Sequence, residues 1–374
     1  MKTNTINICI LVLLLTLNGC RKEKNNGICI NIEQRDEVSM SDIFSKIEIV
    51  RLETNDKSLI KEILKIIVFD NKYFIFDFPK SEILVFNAHG SYLTKISNRG
   101  NGPDQYINIS DFDINFINKK LSLLSSVDRT MHEYDLNGNY LKRYKLPDIT
   151  GAYKSLKYLN NDTIVYWTFD FDNRIKFYSV SRNKIISETF PEQDIFFNKF
   201  LPTEFPYENY VCRSSQNMVF KISPKCKIEN GYEWNFGRLN NNVNQIQSSI
   251  NMTMRPEIME YVKKIYASEN INYIFNLQGG NSIYLYAQIT RKNKLINIFY
   301  NKKTKKNYVF ENSIEGAKFY PIYWNDNYVV GIHLDYRKSL DETIPDMILD
   351  KENIKKKNQI SEFDNPILIK YYFK

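Results

Sequence analysis

Few side chains in this 374-residue chain have a type and spacing suited to chemistry. There are three histidines, His89, His132 and His333. His89 and His132 fall beside hairpin turns or on an outer strand and read as exposed residues. His333 falls on a strand near the end of the chain and faces a neighbouring element. No Gly-x-Ser-x-Gly elbow raises a nucleophilic serine. No His-Glu-x-x-His helix or EF-hand loop is present. Carboxylates stand at alternate positions in two pairs, Asp111 with Asp113 and Asp170 with Asp172. Alternate strand residues share a face, so such a pair offers oxygen ligands to calcium. The plainer reading is a solvated strand end. Calcium is the one cofactor suggested, with Asp111 and Asp113 as candidates, and no catalytic residue is assigned.

The stretch Arg99-Gly-Asn-Gly-Pro-Asp-Gln-Tyr106 is the most distinctive loop. It lacks the third glycine of a dinucleotide loop and leads into a strand, so a helix terminus cannot supply anion binding. Arg99 offers a planar fork of five donors suited to carboxylate or phosphate. Asp104 offers an acceptor and Tyr106 a stacking face. With Asn101 these form the candidate ligand-binding set. The same glycines and proline also suit a crossover that serves the fold alone. Lys302, Lys303, Lys305 and Lys306 form a basic hairpin turn, which is either solvated or in contact with anionic lipid headgroups.

The elements that position these residues come from a repeat. Tyr73–Ile96 and Leu121–Tyr144 superpose without a gap, placing Phe86 on Tyr134, Gly90 on Gly138 and Tyr92 on Tyr140. A repeat of short strands and turns at this period indicates propeller blades. The composition agrees: 14% of residues are aromatic, which favours strands. Extending the pattern predicts an all-β, six-bladed β-propeller over residues 44–374. In it the Arg99–Tyr106 loop joins the first blade to the second at the channel mouth. The fourth blade has an inner strand within residues 196–205. The sixth blade lacks one strand, and Ile47–Glu53 is one too many, so the N-terminal strand closes the last blade beside Ile367–Phe373. Two short helical insertions are predicted, at Pro256–Tyr266 and Leu340–Gln359.

Residues 1–19 hold one lysine and an apolar run too short to span a bilayer, as in a signal peptide. Leu17-Asn18-Gly19-Cys20 looks like a bacterial lipobox, which implies lipidation of Cys20 and a membrane anchor. Residues 20–43 are then the lipidated cysteine and a polar tether. No Asp follows Cys20 and no acidic run follows it, so an outer-membrane lipoprotein on the periplasmic face is expected. Cys29, Cys212 and Cys226 remain in the mature chain. Cys212 and Cys226 lie at opposite ends of one predicted strand, too far apart for a disulfide. The net charge of +8 is mixed with acidic residues along the whole chain, which argues against a nucleic-acid partner.

Four short motifs complete the reading: Gly100-x-Gly102-Pro103-x-x-Tyr106, Trp234-Asn-Phe-Gly237, Phe319-Tyr-Pro321 and Asp364-Asn-Pro-Ile-Leu-Ile369. Together the chain resembles the six-bladed β-propeller lipoproteins of Bacteroidetes, relatives of the NHL-type propellers. The resemblance implies the fold, secretion and lipid anchoring, and no particular reaction. A binding or scaffold module for a protein, peptide or glycan partner is expected. The alternatives are a metal-dependent hydrolase or lyase with a central-channel site, and a structural spacer in an envelope assembly.

Overall fold

The computed structural model describes residues 27–35, 37–170, 172–190, 207, 209–212, 217–240, 259–260, 263–264, 266–270, 275–333 and 339–374. Strand β1 (Gly27–Cys29) leads to a one-turn helix α1 (Met40–Ile43) and strand β2 (Phe44–Val50). Blade one follows as β3 (Ile63–Phe69), β4 (Lys72–Asp77), β5 (Glu82–Asn87) and β6 (Tyr92–Ile96). Blade two is β7 (Asp111–Asn115), β8 (Lys120–Ser125), β9 (Thr130–Asp135) and β10 (Tyr140–Lys145). Blade three is β11 (Tyr153–Tyr158), β12 (Thr163–Thr168), β13 (Ile175–Ser179) and β14 (Lys184–Thr189). Blade four contains β15 (Tyr210–Cys212), β16 (Met218–Ile222) and β17 (Ile228–Asn235). Blade five is β18 (Phe275–Gly280), β19 (Tyr284–Arg291), β20 (Lys294–Asn301) and β21 (Asn307–Phe310). Blade six contains β22 (Pro321–Trp324), β23 (Tyr328–Ile332) and, after helix α2 (Lys351–Lys357), β24 (Leu368–Phe373). Six four-stranded sheets result, and the chain is a six-bladed β-propeller.

The repeat is reproduced atom for atom at its turns. Gly90 and Gly138 have φ of +86° and +87°, which a side chain would strain. Asn87 Oδ1 accepts from the amides of His89 and Ser91, and Asp135 Oδ1 accepts from those of Asn137 and Asn139. The rings of Phe86 and Tyr92 meet edge-on at 5.9 Å, and those of Tyr134 and Tyr140 at 5.7 Å. Each turn leans on the preceding blade, at its outer strand or just beyond it. A Cβ on Gly90 would lie 1.9 Å from Arg51 O, and one on Gly138 would lie 3.5 Å from Ile96.

The ring closes as expected, with β2 antiparallel to β24 from Phe44↔Phe373 to Val50↔Leu368. The closing strand lies three residues earlier than predicted. Beyond Val50 the chain already turns into the next crossover, where Glu53 N donates to Gly90 O. The tether predicted through residue 43 also ends sooner. Strand β1 pairs in parallel with β17, Gly27↔Glu233 to Cys29↔Asn235, as an added outer strand of blade four. Ile30 and Ile32 then bury against Trp234, Leu239 and blade five. Val38, Met40 and Ile43 join the core between blades five and six. Ser39 caps α1 and, with Asp42, forms a capping box. The segment is therefore a strap across three blades. The alternation of Ile28, Ile30 and Ile32 was the signal for it.

The inner strand predicted in 196–205 lies outside the described residues. So does the apolar face Ile258, Tyr261, Val262 and Ile265 of the first insertion, whose described residues 259–260, 263–264 and 266–267 are helical. The second insertion is not one helix over Leu340–Gln359. Two 3-10 turns, Leu340–Glu342 and Asp346–Ile348, precede α2. Pro345 separates them, and Asp350 caps α2 by accepting from Asn353 N. Cys29 and Cys226 are free thiols, exposed and half-buried, and Cys212 is buried.

Candidate functional site

The Arg99–Tyr106 crossover is a closed loop held by its own side chains. Gly100 N donates to Tyr106 O at 3.0 Å, and Tyr106 N to Asn98 O at 3.2 Å. Gln105 folds back under the loop, where its Oε1 accepts from Gly102 N at 2.7 Å. A Cβ on Gly100 would stand 2.2 Å from that oxygen, so a larger residue there would displace the Gln105 amide. Asn98 Nδ2 donates to both the backbone oxygen and Oδ2 of Asp104, at 3.2 and 3.1 Å. Arg99 Nε donates to Ile107 O at 3.0 Å, which fixes the guanidinium plane. Arg99, Asn101 and Asp104 are exposed, so three of the four candidate residues stand together on the surface.

Tyr106 does not join them. It is wholly buried, and its hydroxyl donates to Ser81 O at 2.9 Å and Ile96 O at 3.3 Å. Burial pushes its phenol well above the usual range. The expected stacking face is instead a pin into blade one. Beneath it lies His132, 6.1 Å away ring to ring. His132 is also wholly buried, not the exposed turn residue expected. Its Nε2 faces Thr130 Oγ1 at 3.0 Å. Burial, with the nearby Arg143, lowers its pKa to about 4, so the imidazole is neutral at ordinary pH. His333 is buried too, with Nδ1 2.9 Å from Thr343 Oγ1.

Asp111 and Asp113 share a face, and that face is turned to blade three. Asp111 Oδ2 accepts from Leu156 N at 2.9 Å, and Asp113 Oδ2 from Tyr158 N at 2.7 Å. Lys65 Nζ donates to Asp111 Oδ1 at 2.9 Å and to Phe112 O at 2.7 Å. Burial raises the Asp113 pKa, and the charges of Lys65 and Lys157 oppose that rise. The pair staples two inner strands together. Three of its four oxygens already have partners, whereas calcium takes about six to eight oxygen ligands. Asp170 is not at a solvated strand end. It is buried and accepts from Lys176 Nζ at 2.6 Å, while the same ammonium reaches Glu188 at 2.5 Å. Burial disfavours both charges, but the hydrogen bonds outweigh it, leaving Asp170 below and Lys176 above their usual ranges. Among the described residues no group of three or more His, Cys, Asp or Glu could hold a metal ion.

The other motifs are also crossover fastenings. Trp234 is buried and donates through Nε1 to Gln278 Oε1 of blade five at 3.1 Å. Phe319 packs among Phe44, Tyr286, Phe299 and Tyr371. Asn365 is buried and ties the passage from blade six to blade one, donating to Glu53 O and Ser58 O and accepting from Ile60 N. A family model described as a domain of unknown function (DUF4934) matches residues 27–372, starting where β1 starts. The chain belongs to the DUF4934 family. Among curated proteins, none matches it. A Bacteroides fragilis NCTC 9343 structure named "Putative exported protein" is similar at a TM-score of 0.75 and 18% identity, covering 93% of this chain and 99% of that one. A member of the duf4221 family from Bacteroides vulgatus ATCC 8482 is similar at a TM-score of 0.50 and 10% identity, covering 91% and 99%. At these identities the likeness is one of fold. Among the described residues no helix of this DUF4934 chain is long and apolar enough to cross a membrane.

Asn98 and Gln105 are the loop residues that sequence reasoning missed. Amides inside a Gly-Pro loop carry no pattern that tells an inward from an outward side chain.

Proposed function

We propose that this propeller is a non-catalytic binding or scaffold module of the cell envelope, anchored through a lipidated Cys20 on the periplasmic face of the outer membrane. It would hold a protein, peptide or glycan partner at the crossover between blades one and two. One observation carries the reading: Arg99, Asn101 and Asp104 are exposed on a loop whose base is fastened by Asn98, Gln105 and Tyr106. A guanidinium and a carboxylate already fixed in place lose little freedom on binding, which favours recognition of a polar partner. Similarity of fold to a chain named as exported supports an envelope setting. The polar residues that a channel-metal hydrolase would need, Asp111 and Asp113, are bonded to Lys65 and to blade three.

The test is thermal denaturation against a panel of envelope glycans and peptides. A ligand that raises Tm for the wild type and not for an Arg99→Ala/Asp104→Ala variant supports the site. A ligand that raises both equally moves the site elsewhere. Stoichiometric calcium that resists dialysis would favour the metal-dependent alternative.

A further inference from the structure

The basic turn between β20 and β21 is not uniform. Lys302 is committed to the protein: its ammonium donates to Asn281 O and lies 5.7 Å over the Tyr207 ring. Lys303, Lys305 and Lys306 are exposed, with the ammonium groups of Lys305 and Lys306 lying 5.7 and 4.4 Å over the rings of Tyr300 and Tyr308. Lys292 and Lys294, at the opposite end of the same hairpin, hold Glu269 and Glu311. No carboxylate pairs with Lys303, Lys305 or Lys306 among the described residues.

This turn stands beside the place where the N-terminal strap begins. Asn307, which follows Lys306, donates through Nδ2 to Cys29 O at 3.2 Å. Strand β1 runs along β17, and the turn leading into β17 exposes Lys225 and Lys227. Only residues 21–26 separate Cys20 from Gly27, and covalent geometry limits that link to roughly 25 Å. Any acyl chain on Cys20 therefore brings this edge of blades four and five to the bilayer.

We infer that the outer edge of blades four and five, led by Lys303, Lys305 and Lys306, docks on anionic phospholipid headgroups and holds the ring edge-on to the membrane. The inference rests on the reading of Cys20 as the anchor and deepens it, by fixing orientation. Anchoring supplies a high effective concentration, so a few lysines suffice, each shifting the docked population by about fivefold. In a closed ring of six, the boundary between blades one and two lies diametrically opposite that between four and five. Docking at this edge therefore turns the Arg99 loop away from the bilayer, toward a partner.

The full chain, extracted from membranes and reconstituted, tests this. It is placed in phosphatidylethanolamine vesicles with and without phosphatidylglycerol and labelled with a membrane-impermeant amine reagent. Peptide mass spectrometry then reads each lysine and the acyl mass on Cys20. The expected result is labelling of Lys303, Lys305 and Lys306 slowed by about fivefold or more in the anionic vesicles. Lys351 and Lys355 on α2 should not change, and raised salt should abolish the protection. In a Lys303→Glu/Lys305→Glu/Lys306→Glu variant, protection of Lys225 and Lys227 should also be lost. Acylated Cys20 with equal labelling in both vesicle types overturns the inference alone. Absence of the acyl mass overturns the anchor reading and the inference with it.

Discussion

Two neighbouring parts of the ring use the same residue types to opposite ends. In the crossover between blades one and two, Arg99 and Asp104 are fixed at their bases and exposed at their tips. Where the inner strands of blades one, two and three meet, Lys65, Asp111 and Asp113 turn inward and join strands to one another. The difference comes from backbone supply. An inner strand has amides facing the next blade, and a carboxylate on the right face satisfies them. A crossover loop satisfies its own amides with Gln105 Oε1 and Asn98 O, while Asn98 Nδ2 holds one oxygen of the exposed Asp104. Charge type alone does not mark a site; the partner of each polar atom does.

The comparison breaks if staple residues govern binding or loop tips govern stability. Asp113→Ala should cost about 3 kcal/mol, because the Tyr158 amide is left without its acceptor. Asp113→Asn keeps an acceptor and should cost far less. Denaturant titration measures both, and neither should alter affinity for a partner.

The pH profile comes next in size. His132 titrates near 4 in the folded chain and near 6.5 when unfolded. The unfolded chain therefore binds the extra proton first. Stability should be intact above about pH 6.5 and fall by about 3 kcal/mol as the pH drops toward 4. His132→Phe should flatten that part of the profile, as read by denaturation midpoints between those two values. Its persistence unchanged in the variant would place the titrating group elsewhere.

Tyr106→Phe removes a hydroxyl shared by Ser81 O and Ile96 O. A loss of about 1.5 kcal/mol is expected, with partner affinity within about twofold of wild type. Had Tyr106 been a stacking platform, the opposite pattern would appear. Arg99→Ala should have the smallest effect on stability, within about 0.5 kcal/mol, because only the bond to Ile107 O is lost from an exposed side chain. Its affinity for a partner should nevertheless fall by about tenfold.

The blades were legible because their turns carry chemistry that only turns need. Gly90 and Gly138, with the Asn87 and Asp135 side chains before them, mark hairpins wherever they recur. Ring closure was legible from counting strands. The strap was not read, since Gly27–Ile32 was too short and too near a polar tether to register as a strand. The long insertion before β24 looked helical from its charges, yet Pro345 and the Asp350 cap confine the α-helix to seven residues of its second half. Within the loop, residue types and order were readable, but the direction of each side chain was not. Tyr106 points inward because blade one offers two carbonyls there, a fact of tertiary packing.

A photo-crosslinking residue at Asn101, compared with one at Lys351 on α2, puts the proposed site to the most direct test. Both positions are exposed. In intact cell envelopes, Asn101 should yield a discrete adduct that an added Arg99→Ala substitution abolishes, and Lys351 should yield none. No adduct at Asn101, or the same adducts from both positions, would contradict a binding site on the Arg99–Tyr106 loop.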